Sequence, residues 1–266
     1  MSATKQLDLN DEVVFDYWQK KAAEGGEDRS VTIRDHCYHD LEIDAIKDFL
    51  RPSDRLLDIG CGNGLATAGY ATCVKEAVGV DYAPQMVEAA NSRLQRESES
   101  IRKKLHFEVC DSRELRFPDE SFSRVVMQRC LINIPDRRQQ IEATLEAGRV
   151  LRRGELLLLA EVTLQGHERV NAYRTRFGLS RLMVHWHNTY LDETTFLPAM
   201  SDAFEVDQVI RFGMYGFLSK VVHPLLVAPA EPSFDAPINE VAARLAREIP
   251  DFDGCSHQVL FVLRKR

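Results

Sequence analysis

The chain has 266 residues, 44% of them hydrophobic and 28% charged, which supplies a packed core and excludes a disordered tail. Its 34 basic and 41 acidic residues leave a net charge of -7, so no chain-wide attraction for nucleic-acid phosphate or anionic lipid is expected. At this size one large α/β domain with embellishments is favoured over two independent domains.

Residues 12–23 and 40–50 carry apolar side chains at helical spacing, and Pro52 ends the second pattern. These form an N-terminal helical cap, residues 1–52. The core, 53–266, opens with short β-branched or Leu-rich runs at 55–60, 76–81, 105–111, 122–129 and 155–162. Helical patterns at 84–97 and 137–151 separate them, and the alternation predicts a doubly wound, parallel sheet. Beyond Val162, strands are expected at 204–212 and 258–264, with insertions at about 163–203 and 213–256. The second insertion is read as a Pro-rich extended loop around Pro229, Pro232 and Pro237 leading into a helix at 238–248. It would cover an acceptor pocket or form a homodimer contact.

The six cysteines contain no C-x-x-C pair, and the start MSATKQLDLNDE is polar and acidic, unlike a secretory leader. No apolar run approaches the roughly 20 residues that span a bilayer. The expectation is a cytoplasmic protein with reduced thiols and no membrane span.

The strongest local signal is Leu56-Leu57-Asp58-Ile59-Gly60-Cys61-Gly62-Asn63-Gly64, a hydrophobic strand running into a glycine turn and then a helix. Glycine there allows positive φ and close approach of a ligand. Twenty-one positions after Gly60, Asp81 ends the second strand, where a carboxylate can accept hydrogen bonds from two ribose hydroxyls. A nicotinamide-binding loop shares this physics, but its third glycine would come one residue later.

Residues 50–165 therefore resemble the class I S-adenosylmethionine-dependent methyltransferases of small-molecule type, through Asp58, Gly60, Gly62, Gly64 and Asp81. Cys110-Asp111-Ser112 and Gly148-Arg149-Val150-Leu151-Arg152-Arg153-Gly154 extend the likeness, with Arg153 standing in a turn where the family often has proline. The resemblance implies a seven-stranded, mainly parallel sheet whose last strand is antiparallel. It also implies S-adenosyl-L-methionine as cofactor and S-adenosyl-L-homocysteine as product. Asp58 would meet the methionine amino end, with Gly60, Cys61 and Gly62 along its path. Asp81 would hold the ribose, Tyr82 and Met86 would flank the adenine, and Asp111 with Ser112 would meet its amine. Tyr17 would close a lid, while Arg34 and Gln128 would face the cofactor. Tyr17 reads equally as a packing residue.

The acceptor is less legible. Between residues 163 and 191, Arg169, Arg174, Arg176 and Arg181 face only Glu168, which suggests an anionic ligand, although any one of them reads equally as a solvated surface charge. His185 and His187, two apart in an extended segment, would point the same way with Trp186 opposite, and either suits proton removal from a hydroxyl or amine. Metal is the rival use of that pair, and no firm third and fourth ligand supports it. Glu161 is a further candidate base, and the resemblance makes Arg129, at the end of the fourth strand, a further catalytic candidate facing cofactor or acceptor, with a surface ion pair as its other reading. His36, Arg174, Arg181 and Tyr190 are candidate acceptor contacts.

The expected function is methyl transfer to an oxygen, or a nitrogen, of a small anionic or carbohydrate-linked acceptor of surface-polysaccharide or natural-product synthesis. An RNA or protein methyltransferase and a non-catalytic S-adenosylmethionine-binding module are the alternatives. Nucleic acid is disfavoured by the net acidic chain.

Overall fold

A computed structural model describes residues 9–249 and 251–266. Helix α1 (Asp11–Gly25) starts where Asn10 accepts a hydrogen bond from the Val13 amide at 3.0 Å. Helix α2 (His36–Lys47) is capped in the same way by Asp35, so it begins four residues earlier than its apolar pattern indicated.

The elements that follow are β1 (Arg55–Ile59), α3 (Leu65–Ala71), β2 (Glu76–Asp81), α4 (Pro84–Leu94), α5 (Glu99–Arg102), β3 (Leu105–Val109), β4 (Phe122–Gln128), α6 (Arg137–Val150) and β5 (Leu151–Val162). Then come α7 (Leu164–Arg176), α8 (Glu193–Met200), β6 (Phe204–Arg211), α9 (Gly213–Phe217), a π turn over Leu218–Val222, α10 (His223–Val227), α11 (Pro237–Glu248) and β7 (Gln258–Lys265).

The strands form one seven-stranded sheet in the order β3-β2-β1-β4-β5-β7-β6. Neighbours from β3 to β5 are parallel, and β7 is antiparallel to both β5 and β6. The strand period of two sends Leu57, Ile59, Val125, Met127, Leu157 and Leu159 into one buried layer beneath α6. Leu56, Val126, Leu156, Leu158 and Ala160 enter the other, against α2, α3 and α11. Order reverses at β1/β4, the switch point at which open sheets of this kind offer a crevice beyond their carboxyl ends.

Two expectations need correction. Strand β5 starts at Leu151, directly after α6, so Arg153 and Gly154 lie within its irregular opening and not in a turn; Phe122 pairs with Leu151 and Arg124 with Leu156. Residues 213–227 are helical, because Tyr215 and Val221 bury apolar surface that an extended loop would leave in water. Ala228 to Ala236 is a loop, and residues 251–257 form a second irregular stretch before β7.

Candidate active site

At the end of β1 the chain turns through Gly60 and Gly62, with φ of 76° and 53°. A Cβ on Gly60 would lie 2.7 Å from the Cys130 Sγ, so both conformation and space require glycine. The Gly60 and Cys61 amides donate to the Val80 carbonyl at 2.8 and 3.0 Å, which ties the turn to β2. Asp81 then accepts from the Gly62 amide through Oδ2 and from the Ala83 amide through Oδ1, each at 2.9 Å. Burial pushes its carboxyl up to about 6 despite those bonds. Beneath the turn, Asp58 accepts from Thr67 Oγ1 at 2.6 Å, and burial, with the Asp81 charge, raises it to about 7.

The turn opens into a cavity of about 590 Å³. Asp58, Gly60, Cys61, Gly62, Asp81, Tyr82, Met86 and Gln128 line its donor end, with Tyr17 and Arg34 across from them. A small recess of about 50 Å³ shares Gly60, Asp81 and Tyr82 with it and adds Asp111 and Ser112. Gln128 is fixed from behind: its Oε1 accepts from Tyr70 Oη at 2.9 Å and its Nε2 donates to buried Glu42 at 3.2 Å. Asp111 is engaged twice by Arg113, which also reaches Asp11 on α1 and Gln139 on α6. These pairs hold its carboxyl below the usual range despite its burial.

Helix α1 roofs the cavity. Trp18 Nε1 donates to Asn133 Oδ1 at 3.1 Å, and Gln19 accepts from the Gln85 amide at 3.1 Å. Tyr17 stacks on His187, ring centroids 4.4 Å apart, so the roof meets the 185–190 segment over the crevice.

At the far end stand His185, His187, Tyr190 and Arg129. Residues 185–188 form a turn, the Asn188 amide donating to the His185 carbonyl at 3.0 Å, and not the extended segment expected. Trp186 accordingly packs on Tyr17 and His187, each 5.3 Å away between ring centroids, instead of facing opposite. Arg129 has a left-handed backbone (φ 56°), and its Nη1 is buried without a partner, which replaces the surface ion pair that was its other reading.

Four expected residues are elsewhere. Glu161 lies fully buried under the β4 exit, where Oε1 accepts from the Leu131 amide at 2.6 Å; it supports the site floor and does not line the cavity. His36 sits in the first turn of α2, its carbonyl held by Arg29, outside the lining. Arg174 is buried and donates to the Ser180 and Lys220 carbonyls, and Arg181 Nη2 reaches both carboxylate oxygens of Glu168 at 2.7 Å. Arg169 pairs with Asp253. The arginine excess between 163 and 191 is thus spent largely on local pairing and not on a ligand.

Conversely, the cavity includes residues that the chain order did not single out. Trp18 comes from the aromatic face of α1, whose FDYW run was the available signal. Asp35, joined to Lys220 at 2.8 Å and to Tyr215, links the α2 cap to the π turn. His39 and His257 also line it, and burial presses each down to about 3, so both are neutral.

A nucleoside sulfonium amino acid fits the donor end. Asp81 offers an ionised acceptor for ribose hydroxyls, the recess beside Tyr82 suits a planar base, and the buried, unpartnered Tyr82 Oη awaits a polar group. When bound, such a cofactor supplies an electrophilic methyl group.

Residues 56–154 match the family model for a methyltransferase domain. With the sheet order and the glycine turn, they identify this part of the chain as a class I S-adenosylmethionine-dependent methyltransferase domain. The chain is 40% identical over 116 residues to 27-O-demethylrifamycin SV methyltransferase of Amycolatopsis mediterranei (strain S699), 43% of this chain and 41% of that protein. It is 29% identical over 164 residues to methyltransferase GfsG of Streptomyces halstedii, 59% of this chain and 53% of the other. The chain thus spans about half the length of these curated relatives. Among solved structures, geranyl diphosphate C-methyltransferase from Streptomyces coelicolor A3(2) superposes with a TM-score of 0.58 at 14% identity, covering 87% of this chain and 80% of that one. A methyltransferase from Methanosarcina mazei gives 0.55 at 19%, covering 83% and 96%. At those identities the likeness is one of fold.

Proposed function

We propose that the chain transfers the methyl group of S-adenosylmethionine to an oxygen of a small molecule with an apolar, aromatic body and an anionic group, of natural-product type. The observation that carries this reading is the single cavity that joins the donor turn at Asp81 to a wall of Tyr17, Trp18, Tyr38, Phe234 and His185. A wall of that kind suits a ring system better than a phosphate backbone. The names of relatives agree: besides the rifamycin enzyme, an O-methyltransferase cnsE of Penicillium expansum is 32% identical over 110 residues, 41% of this chain and 38% of its own length. Of the two product classes expected from sequence, natural-product synthesis has this support and surface polysaccharide does not.

The residues divide by chemistry. Asp81, Asp58, Asp111 and the Gly60–Gly62 turn hold the donor, and Arg34 at the rim takes its carboxylate. Arg129 offers its unpartnered guanidinium to the acceptor anion. His185, exposed at the cavity edge, is assigned the acceptor's proton. His187 is less suited, because burial and the neighbouring His185 push it down to about 4 and its ring packs on Tyr17. Holding donor and acceptor together accounts for most of the acceleration, about 7–11 kcal/mol where alignment is good. No helix among the described residues is long and apolar enough to cross a membrane.

The test is transfer of labelled methyl from S-adenosylmethionine into host extract fractionated by polarity and size. Label in small, aromatic, anionic metabolites is expected. Label confined to RNA, protein or polysaccharide would overturn the acceptor assignment, and donor binding with no label in any fraction would favour a binding module.

A further inference from the structure

Behind the cavity histidines lies a second row. His167 and Asn171 are buried one turn apart on α7. Asn171 Oδ1 accepts from the Leu182 amide at 2.7 Å, which fixes the orientation of its amide. Its Nδ2 then donates to the Leu182 carbonyl at 3.2 Å and to His167 Nε2 at 2.9 Å. A ring nitrogen that accepts carries no proton, so neutral His167 has its proton on Nδ1. That atom is 3.1 Å from His257 Nε2, with the ring planes 16° apart. His257 Nε2 is therefore an acceptor too, and the His257 proton is on Nδ1.

His257 lines the cavity immediately before β7, and no partner for its Nδ1 is found among the described residues. Resting on the methyltransferase reading above, we propose that Asn171 and His167 lock His257 as a neutral Nδ1–H donor that binds a carbonyl or ionised hydroxyl oxygen of the acceptor and selects against a protonated amine. Burial works in the same direction by keeping both rings uncharged: it lowers His167, and His257 is pressed further, with Lys220 close by. A ring that already carries a proton on its free nitrogen is not the base, which separates the role of His257 from that of His185. Asn171 and His167 are positioning residues, acting through His257.

The lock is read directly in long-range ¹H–¹⁵N spectra of the full chain labelled on histidine at pH 7. Neutral Nδ1–H signatures for His167 and His257 are expected, and His167→Phe should free His257 into a mixture of tautomers. An Nε2–H or imidazolium signature for His257 in the unmodified chain, or a His257 tautomer unmoved by His167→Phe, would overturn the proposal. In the labelled-methyl assay at limiting extract, His257→Leu should lower transfer at least tenfold, His257→Asn should restore most of it, and S-adenosylhomocysteine affinity should be unchanged. Equal loss in both variants contradicts a donor role. The spectra need no turnover, so a correct tautomer with no methyl transfer would sink the functional reading alone, and a wrong tautomer with transfer would sink only the lock.

Discussion

Asp81 shows how much of this site rests on single atoms. Its two oxygens each bind a backbone amide, yet the carboxyl is raised to about 6 because burial disfavours the charge. Ribose hydroxyls donate best to the ionised form, so donor binding should release the proton, and affinity for S-adenosylhomocysteine should fall as pH drops through about 6. Calorimetry at pH 5 and pH 7.5 reads this; equal affinity at both would refute the assignment. Glu161 gives a complementary case. Burial raises it to about 8, above its unfolded value, so its neutral form is favoured by folding. That contribution is fully present below about 4.5 and is lost as pH rises through about 8. Glu161→Gln keeps an acceptor for the Leu131 amide without a charge. It should gain stability relative to the unmodified chain between pH 5 and pH 8, measured by urea unfolding. Glu161→Leu leaves that amide buried and unpaired and should cost about 1–3 kcal/mol at pH 5.

Among the elements, α1 roofs the cavity, and under the proposed function access to the donor depends on it. Its Trp18–Asn133 and Gln19–Gln85 hydrogen bonds and the Asp11–Arg113 pair attach it at three places. Trp18→Ala removes one bond worth about 1 kcal/mol, so dissociation of S-adenosylhomocysteine should quicken about fivefold, and stopped-flow release would show it. An unchanged rate would mean that α1 is not the gate. What the sequence showed at this scale depended on distance along the chain. The Gly60–Gly62 turn and Asp81 were legible because conformation and chemistry reside in a few adjacent residues. The Trp18–Asn133 and His167–His257 contacts were not, since partners 115 and 90 residues apart carry no local pattern. The arginine excess misled for the same reason: composition counts charges but cannot reveal that Arg169 meets Asp253 or that Arg174 meets the Lys220 carbonyl.

The molecule as a whole opens its cavity beyond the carboxyl ends of the central strands, where β1 and β4 part. Strand alternation predicted this half of the fold because its parallel, buried strands are continuous apolar runs. The helical segment 213–227 escaped notice because its pattern is interrupted by Lys220, His223 and Pro224. It matters to the site, since Lys220 lines the cavity and pairs there with Asp35. Under the proposed function the crevice at Asp81 is a donor site feeding that cavity. Titration of the full chain with S-adenosylhomocysteine at pH 7.5 tests it most directly. One molecule per chain should bind, with affinity weakened at least tenfold in Asp81→Ala through loss of hydrogen bonds to a charged group. No binding to the unmodified chain, or equal binding by a folded Asp81→Ala, would contradict it.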